Sequence, residues 1–328
     1  MPPEIVTFGE AMVRLAPPHF GRLEAARTLD VEVGGAELNT AAGLVRLGRR
    51  VSWVSRLPAN PLGRLAANRV REAGVDTSHV QFVADGRCGL YFLEFGAAPR
   101  ASNIVYDRQD SSIARVTLGS FDWPKVLGGA RWFHVTGITP ALSDPATEVT
   151  ARALSVAKAL GLTTSIDLNY RSKLWSAADA GRVMAELLAH CDVLFASTGD
   201  AETLFGITGT DFADVAVKLC DRFKLRAVAG VKRETPLVWR NRFGGVGFAD
   251  GKAFETPWYE VEIVDRLGAG DAFAAGVIHG LLDGDFEKGL QYGAAMGALK
   301  HTIPGDLPTM DRDEIEAVLA GHGLRIKR

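Results

Sequence analysis

The chain has 328 residues, 47% hydrophobic and 23% charged, enough to bury a core in one large α/β domain or two small ones. Its formal net charge of −2 gives no global basic field, which argues against nucleic acid as a partner while leaving local anion sites open. No run of about eighteen apolar residues suggests a membrane span, and Met1-Pro2-Pro3-Glu4 is not expected to open a signal peptide. Cys88, Cys191 and Cys220 are far apart and form no CxxC pair, so reduced thiols in a cytoplasm are expected.

Ile5–Phe8 reads as a buried strand ending at Gly9-Glu10. Residues 11–33 lack a helix period and contain Pro17-Pro18 and Gly21, which predicts a strand-and-turn excursion. Gly34-Gly35-Ala36-Glu37-Leu38-Asn39 opens a helix that Gly48 closes, and Val51–Val54 is the next strand. Asn60-Pro61 starts a helix, Asn as N-cap and Pro in the first turn, that ends at Gly74. Residues 80–107 then read as strands (Val80–Val83, Leu90–Phe95, Ile104–Tyr106) with little helix between them. With the 11–33 excursion they predict a small β subdomain. From Pro124 onward strands (Trp132–Val135, Thr163–Asp167, Val193–Ala196, Ala227–Val231) alternate with helices. Alternation of this kind predicts an α/β fold, a doubly wound, mostly parallel sheet with helices on both faces. Short strands are expected near Leu237–Trp239 and Val246–Phe248, then helices over 286–301 and 311–320.

The stretch Val264-Asp265-Arg266-Leu267-Gly268-Ala269-Gly270-Asp271 carries the sharpest chemistry. An extended approach enters a glycine-spaced turn, and a helix is expected from Ala272. Backbone N–H groups there can close on an anion, because glycine has no Cβ and a helix N-terminus carries partial positive charge. A carboxylate at 271 repels a phosphate, so it suits a base that takes a proton from an attacking hydroxyl. The plainer reading, that Asp271 caps a helix, stands beside it. In a doubly wound sheet ligands bind beyond the carboxyl ends of the strands, which also singles out Asp167-Leu168-Asn169-Tyr170-Arg171 and Ser197-Thr198-Gly199-Asp200. The first could be a solvated loop whose Asp and Arg pair, the second a helix cap. No GxGxxG follows the first strand, and GxxxxGK[ST], HExxH and GxSxG are absent. The seven histidines show no metal-ligand spacing.

Gly34-Gly35…Asn39 and Gly268-Ala269-Gly270-Asp271, more than two hundred residues apart, together resemble the ribokinase-like (PfkB) family of carbohydrate kinases. The resemblance spans residues 1–328. It implies one α/β domain carrying a small β-sheet lid built from about 11–33 and 84–111. It also implies ATP as donor, magnesium, and a homo-oligomer. Carried over, Asp271 becomes the base, and Gly268, Ala269 and Gly270 the anion hole. Tyr106-Asp107-Arg108 with Ser111 and Ser112, and Asp167-Leu168-Asn169-Tyr170-Arg171…Leu174-Trp175, are similar to segments of members that phosphorylate 2-keto-3-deoxygluconate. Gly34, Gly35, Asn39, Tyr91, Tyr106, Arg108, Arg171 and Asp306 then become sugar-acid candidates. Asn169, Ser197, Lys232, Gly268 and Gly270 become nucleotide candidates, and Asp200 a magnesium ligand. Fructokinase, 5-dehydro-2-deoxygluconokinase and a non-enzymatic sugar-binding regulator are the alternatives. The chain departs from the family where N-x-x-E is replaced by Ser197…Asp200, and where V-K-x-G-x-x-G loses both glycines in Val231–Leu237.

Overall fold

A computed structural model describes residues 2–321. In chain order the first strands and helices are β1 (Ile5–Phe8), β2 (Met12–Ala16), β3 (Asp30–Gly34), α1 (Ala36–Arg46), β4 (Val51–Pro58), α2 (Pro61–Glu72), β5 (Val80–Val83), β6 (Gly89–Glu94) and β7 (Asn103–Asp107). The alternating stretch follows with α3 (Trp123–Leu127), β8 (Trp132–Thr136), α4 (Asp144–Ala159), β9 (Thr163–Asp167), α5 (Ala177–Leu188), β10 (Val193–Phe195), α6 (Thr198–Phe205) and α7 (Phe212–Phe223). The chain then forms β11 (Ala227–Leu237), β12 (Arg240–Ala249), β13 (Lys252–Glu255), β14 (Tyr259–Glu262), α8 (Ala269–Leu282), α9 (Phe286–His301) and α10 (Arg312–Leu319).

The large sheet runs β13-β12-β11-β10-β9-β8-β1-β4-β5, with β14 beside β12. Its pairs from β11 to β5 are parallel, and β12, β13 and β14 add an antiparallel edge. Strand alternation sends neighbouring residues to two cores. Ile5, Val193 and Phe195 pack beneath α1, α2, α8, α9 and α10, while Val6, Phe8 and Leu194 pack beneath α3 to α7. The doubly wound expectation is met. His134 sits fully buried between layers, 2.8 Å from Ser165 Oγ, and burial drives its pKa down to about 3. It is a neutral core histidine.

A second sheet, β3-β2-β6-β7, combines the two expected excursions. Val80–Val83, grouped with it in the sequence reading, instead extends the large sheet alongside Ser55–Pro58. A strand's residues do not reveal which sheet it joins. The expected strand at Leu237–Trp239 is also corrected. β11 continues to Leu237 and folds back into β12, so Val238 and Trp239 form the hairpin turn. The segment that lacks the two glycines continues β11, with an irregularity in its pairing to β12 between Glu234 and Leu237.

Candidate active site

α8 starts at Ala269, three residues before the expected Ala272. The reason is Gly268, which takes the N-cap position in the left-handed region (φ 81°), so Gly270 and Asp271 already lie in the first turn. The first helical bond runs from Ala272 N to Gly268 O (2.9 Å), leaving the preceding N–H groups without helical partners. Nothing lies within 4 Å of where a Gly270 Cβ would stand, and Gly268, Ala269 and Gly270 line a cleft. α1 packs against this turn. Asn39 Nδ2 donates to Asp271 Oδ2 (2.7 Å), and Thr40 Oγ1 donates to the Asp271 carbonyl (3.3 Å). A Cβ on Gly35 would run into the Glu10 carbonyl, and one on Gly34 into the Asp306 carboxyl, so both glycines permit close packing here.

Asp271 is one wall of a cleft of about 450 Å³. Asp167, Asn169, Arg171, Ser197, Asp200, Arg233, Arg266 and Gly268–Gly270 line the same cleft. They arrive from beyond the carboxyl ends of β9 and β10, where the topology directs a ligand, from the middle of β11, and from the turn that opens α8. Burial raises Asp271 to about 7, with Asn39 and Arg171 opposing the rise. Burial raises Asp167 further, to about 8, and the nearby Asp271 and Asp200 add to it. No ion pair joins Asp167 to Arg171 among the described residues, so the simple surface-pair reading fails. Asn169 adopts a left-handed φ of 38° and its N–H donates to Asp167 Oδ1 (3.1 Å). Ser197 and Asp200 form a capping box on α6, with Ser197 Oγ donating to Asp200 Oδ2 (2.7 Å), as the plainer reading expects. The box still leaves Asp200 on the cleft wall.

Lys232 is not brought here. Its ammonium donates to Glu255 (2.5 Å) and the Thr256 carbonyl (2.6 Å) and lies over Trp258. Along a strand neighbours face opposite sides, so Val231 and Arg233 line the cleft and Lys232 cannot. Arg233 and Arg266 were missed by sequence reasoning, which followed the motif's lysine and not the strand's alternation.

A second cleft of about 1120 Å³ opens between β7 and the 170–174 segment. Tyr106, Arg108, Tyr170, Arg171 and Lys173 line it. Arg171 belongs to both clefts and joins them. Arg108 does not pair with Asp107 or Asp110. Its guanidinium pairs with buried Glu10, which also accepts from Ser111 Oγ (2.5 Å), while Asp107 pairs with Arg87 (2.7 Å). Glu10 was passed over as the end of a strand. Arg171 has no carboxylate partner among the described residues.

Tyr91 and Asp306, expected to meet substrate, are both buried. The Tyr91 hydroxyl donates to Asp306 Oδ1, and Arg14 bridges Asp306 (2.9 Å) and Asp265 (2.8 Å). Burial raises Asp306 against the pull of Arg14 and Tyr91. Glu37, also missed, is buried at the start of α1. It accepts from Thr136 N (2.9 Å), Thr136 Oγ1 (2.8 Å) and Thr139 Oγ1 (2.7 Å), tying α1 to the end of β8.

No group of three or more His, Cys, Asp or Glu among the described residues is placed to hold a metal. Asp167, Asp200 and Asp271 nevertheless line one cleft as oxygen donors, and the last two add to the rise of Asp167. That set fits a hard cation carried chiefly by phosphate oxygens and water, with only one or two carboxylates from the protein.

A glycine turn that opens a helix with a carboxylate in its first turn, on a doubly wound sheet accompanied by a second small sheet, is the arrangement expected of a phosphoryl-transfer enzyme of the sugar-kinase kind. The model of the pfkB family of carbohydrate kinases matches residues 2–311, and the chain belongs to that family. It is 40% identical to the 2-dehydro-3-deoxygalactonokinase of Haloferax volcanii, with all of both chains covered. It is 31% identical to the 2-dehydro-3-deoxygluconokinase of Bacillus subtilis, with 94% of each covered. The crystal structure of Thermotoga maritima 2-dehydro-3-deoxygluconokinase superposes with a TM-score of 0.94 at 41% identity, covering 97% of this chain and 99% of that one.

Proposed function

We propose that the chain phosphorylates the primary hydroxyl of a 2-keto-3-deoxy sugar acid from ATP, with 2-keto-3-deoxygluconate (the 2-dehydro-3-deoxygluconate of the relatives' names) as first substrate. The observation that carries this is Arg171. It is a guanidinium without a carboxylate partner among the described residues, and it joins the cleft holding Asp271 to the one holding Tyr106, Arg108 and Lys173. A carboxylate matches the planar fork of guanidinium, whereas a neutral sugar asks for hydroxyl partners.

Asp271 accepts the hydroxyl proton. The freed oxygen bonds to the γ-phosphorus as the bond to the bridging oxygen breaks and ADP departs. The N–H groups of residues 269–271 stabilise charge on the transferring group. Asn169, Ser197, Arg233 and Arg266 face the phosphates, and Asp200 and Asp167 are the side chains that would hold magnesium. A bound magnesium supplies neutralisation of phosphate charge. The β3-β2-β6-β7 sheet, drawn from about residues 11–33 and 84–111, acts as a lid over the cleft, excluding water so that the hydroxyl is the nucleophile. Its outer strands expose Val31 and Val105, edges that favour pairing of two lids in a homo-oligomer. Light scattering of the purified protein tests that pairing. The three unpaired cysteines fit a cytoplasmic setting.

A second reading, 2-keto-3-deoxygalactonate, is favoured by the Haloferax relative, and the two acids differ at one hydroxyl. An ADP-coupled assay with both acids, 5-dehydro-2-deoxygluconate and fructose tests the proposal. A much higher kcat/KM for a 2-keto-3-deoxy acid is expected. Equal efficiency with fructose would sink the sugar-acid reading.

A further inference from the structure

Lys300, in the last turn of α9, has a side chain that is fully buried, an unusual place for an ammonium. Among the described residues its side chain has one hydrogen-bond partner, the Ile303 carbonyl (2.9 Å), and no carboxylate within ion-pair distance. A buried charge so sparsely partnered is costly unless a surrounding field repays it. That field is visible. Burial lowers the Lys300 pKa, and Asp265, Asp306 and Asp271 oppose that fall while Arg14 adds to it.

These acids flank one structural feature, the Gly268 turn. A Gly268 Cβ would run into the Asp306 carbonyl oxygen and would stand 3.4 Å from Lys300 Cε. The turn is therefore seated directly on the 303–306 loop, with Lys300 beneath both. Asp265 ties the two segments, accepting from Leu267 N (3.1 Å) and Gly305 N (3.1 Å). The buried charges balance, Arg14 and Lys300 against Asp265 and Asp306. Without Lys300 the set would carry a net negative charge directly under N–H groups that must receive a phosphoryl anion.

We propose that Lys300 is a positioning residue for phosphoryl transfer, its ammonium holding the Gly268–Asp271 turn and cancelling the carboxylate charge beneath it, so that the N–H face stays receptive to an anion. It touches neither substrate, and the proposal rests on the kinase mechanism given above.

The test compares wild type with Lys300→Met, Lys300→Gln and Lys300→Ala, each checked by circular dichroism and thermal unfolding. Lys300→Gln can keep the hydrogen bond to Ile303 without the charge. Removing one direct oxyanion donor costs a hundred-fold or more, so this indirect support should be worth about ten-fold in kcat, with KM for the sugar changed less than about three-fold. Ethylamine should restore part of the kcat of Lys300→Ala, beyond what sodium chloride does at equal ionic strength. Wild-type kcat in folded Lys300→Gln or Lys300→Met, a change in KM alone, or no amine-specific recovery would overturn the proposal. So would variants that stay unfolded even with ethylamine, which would make Lys300 scaffold only. The comparison uses whichever sugar the wild type phosphorylates. A wild type inactive on sugar acids therefore counts against the substrate reading and not against Lys300.

Discussion

Asp271 is held protonated to about 7, well above its ordinary 3.8, chiefly by burial. Two consequences have opposite signs. A base must be ionised, so kcat/KM should rise with pH through about 7 and level off above it. Folding stability runs the other way. The folded chain holds this proton more tightly than the unfolded chain, so the stability contribution is full below the ordinary carboxylate range and is lost as pH rises through 7. Asp271→Asn removes the acceptor but keeps the shape, and the amide oxygen can still accept from Asn39. Turnover should fall by about a hundred-fold or more while sugar binding persists. The variant should also melt higher than the parent at pH 8, with the gap closing near pH 4. Near-normal turnover in the folded variant would remove Asp271 from the chemistry.

At the scale of the element, the start of α8 and the start of α6 make separable demands. Gly268→Ala places a Cβ in the left-handed region and against the Asp306 carbonyl. The conformation alone costs about 1–2 kcal/mol, and the clash adds to it. A lowered denaturant midpoint with turnover nearly abolished is expected. Ser197→Ala removes half of a capping box and should cost about 1 kcal/mol. If Ser197 also meets the nucleotide, KM for ATP rises as well; an unchanged KM assigns Ser197 to capping alone. The lysine of β11 is where the sequence misled. The motif pointed to Lys232, but alternation along the strand turns Arg233 to the cleft and leaves Lys232 with Glu255.

The site is a property of the whole molecule, since Arg108 and Arg171 reach one cleft from different sheets. Arg108→Ala should raise KM for the sugar acid about ten-fold, the loss of roughly one charged hydrogen bond, and change KM for a neutral sugar little. The same change leaves Glu10 buried without its guanidinium, so some loss of thermal stability is expected too. Activity with ATP should vanish in excess chelator and return with Mg²⁺, because the cleft's metal-ligating side chains offer oxygen and no thiolate or imidazole. Undiminished phosphorylation in chelator would contradict the mechanism.

The parallel sheet, its helices and the glycine turn with Asp271 were legible from residues alone, because periodicity, caps and turn glycines are local physics acting over a few neighbours. Many of the residues lining the clefts were named as well, most of them through resemblance to a family's segments. Partnership was not. That Arg108 pairs with Glu10, that Glu37 anchors α1 to Thr136 and Thr139, and that Val80–Val83 joins the large sheet all depend on segments distant in sequence. Lys300 makes the contrast sharpest. In the sequence it is one residue of a helix end, and only the packing of α9 against the Gly268 turn seals it from water. Local sequence sets which groups the chain offers, whereas burial and charge pairing arise only when remote segments share one space.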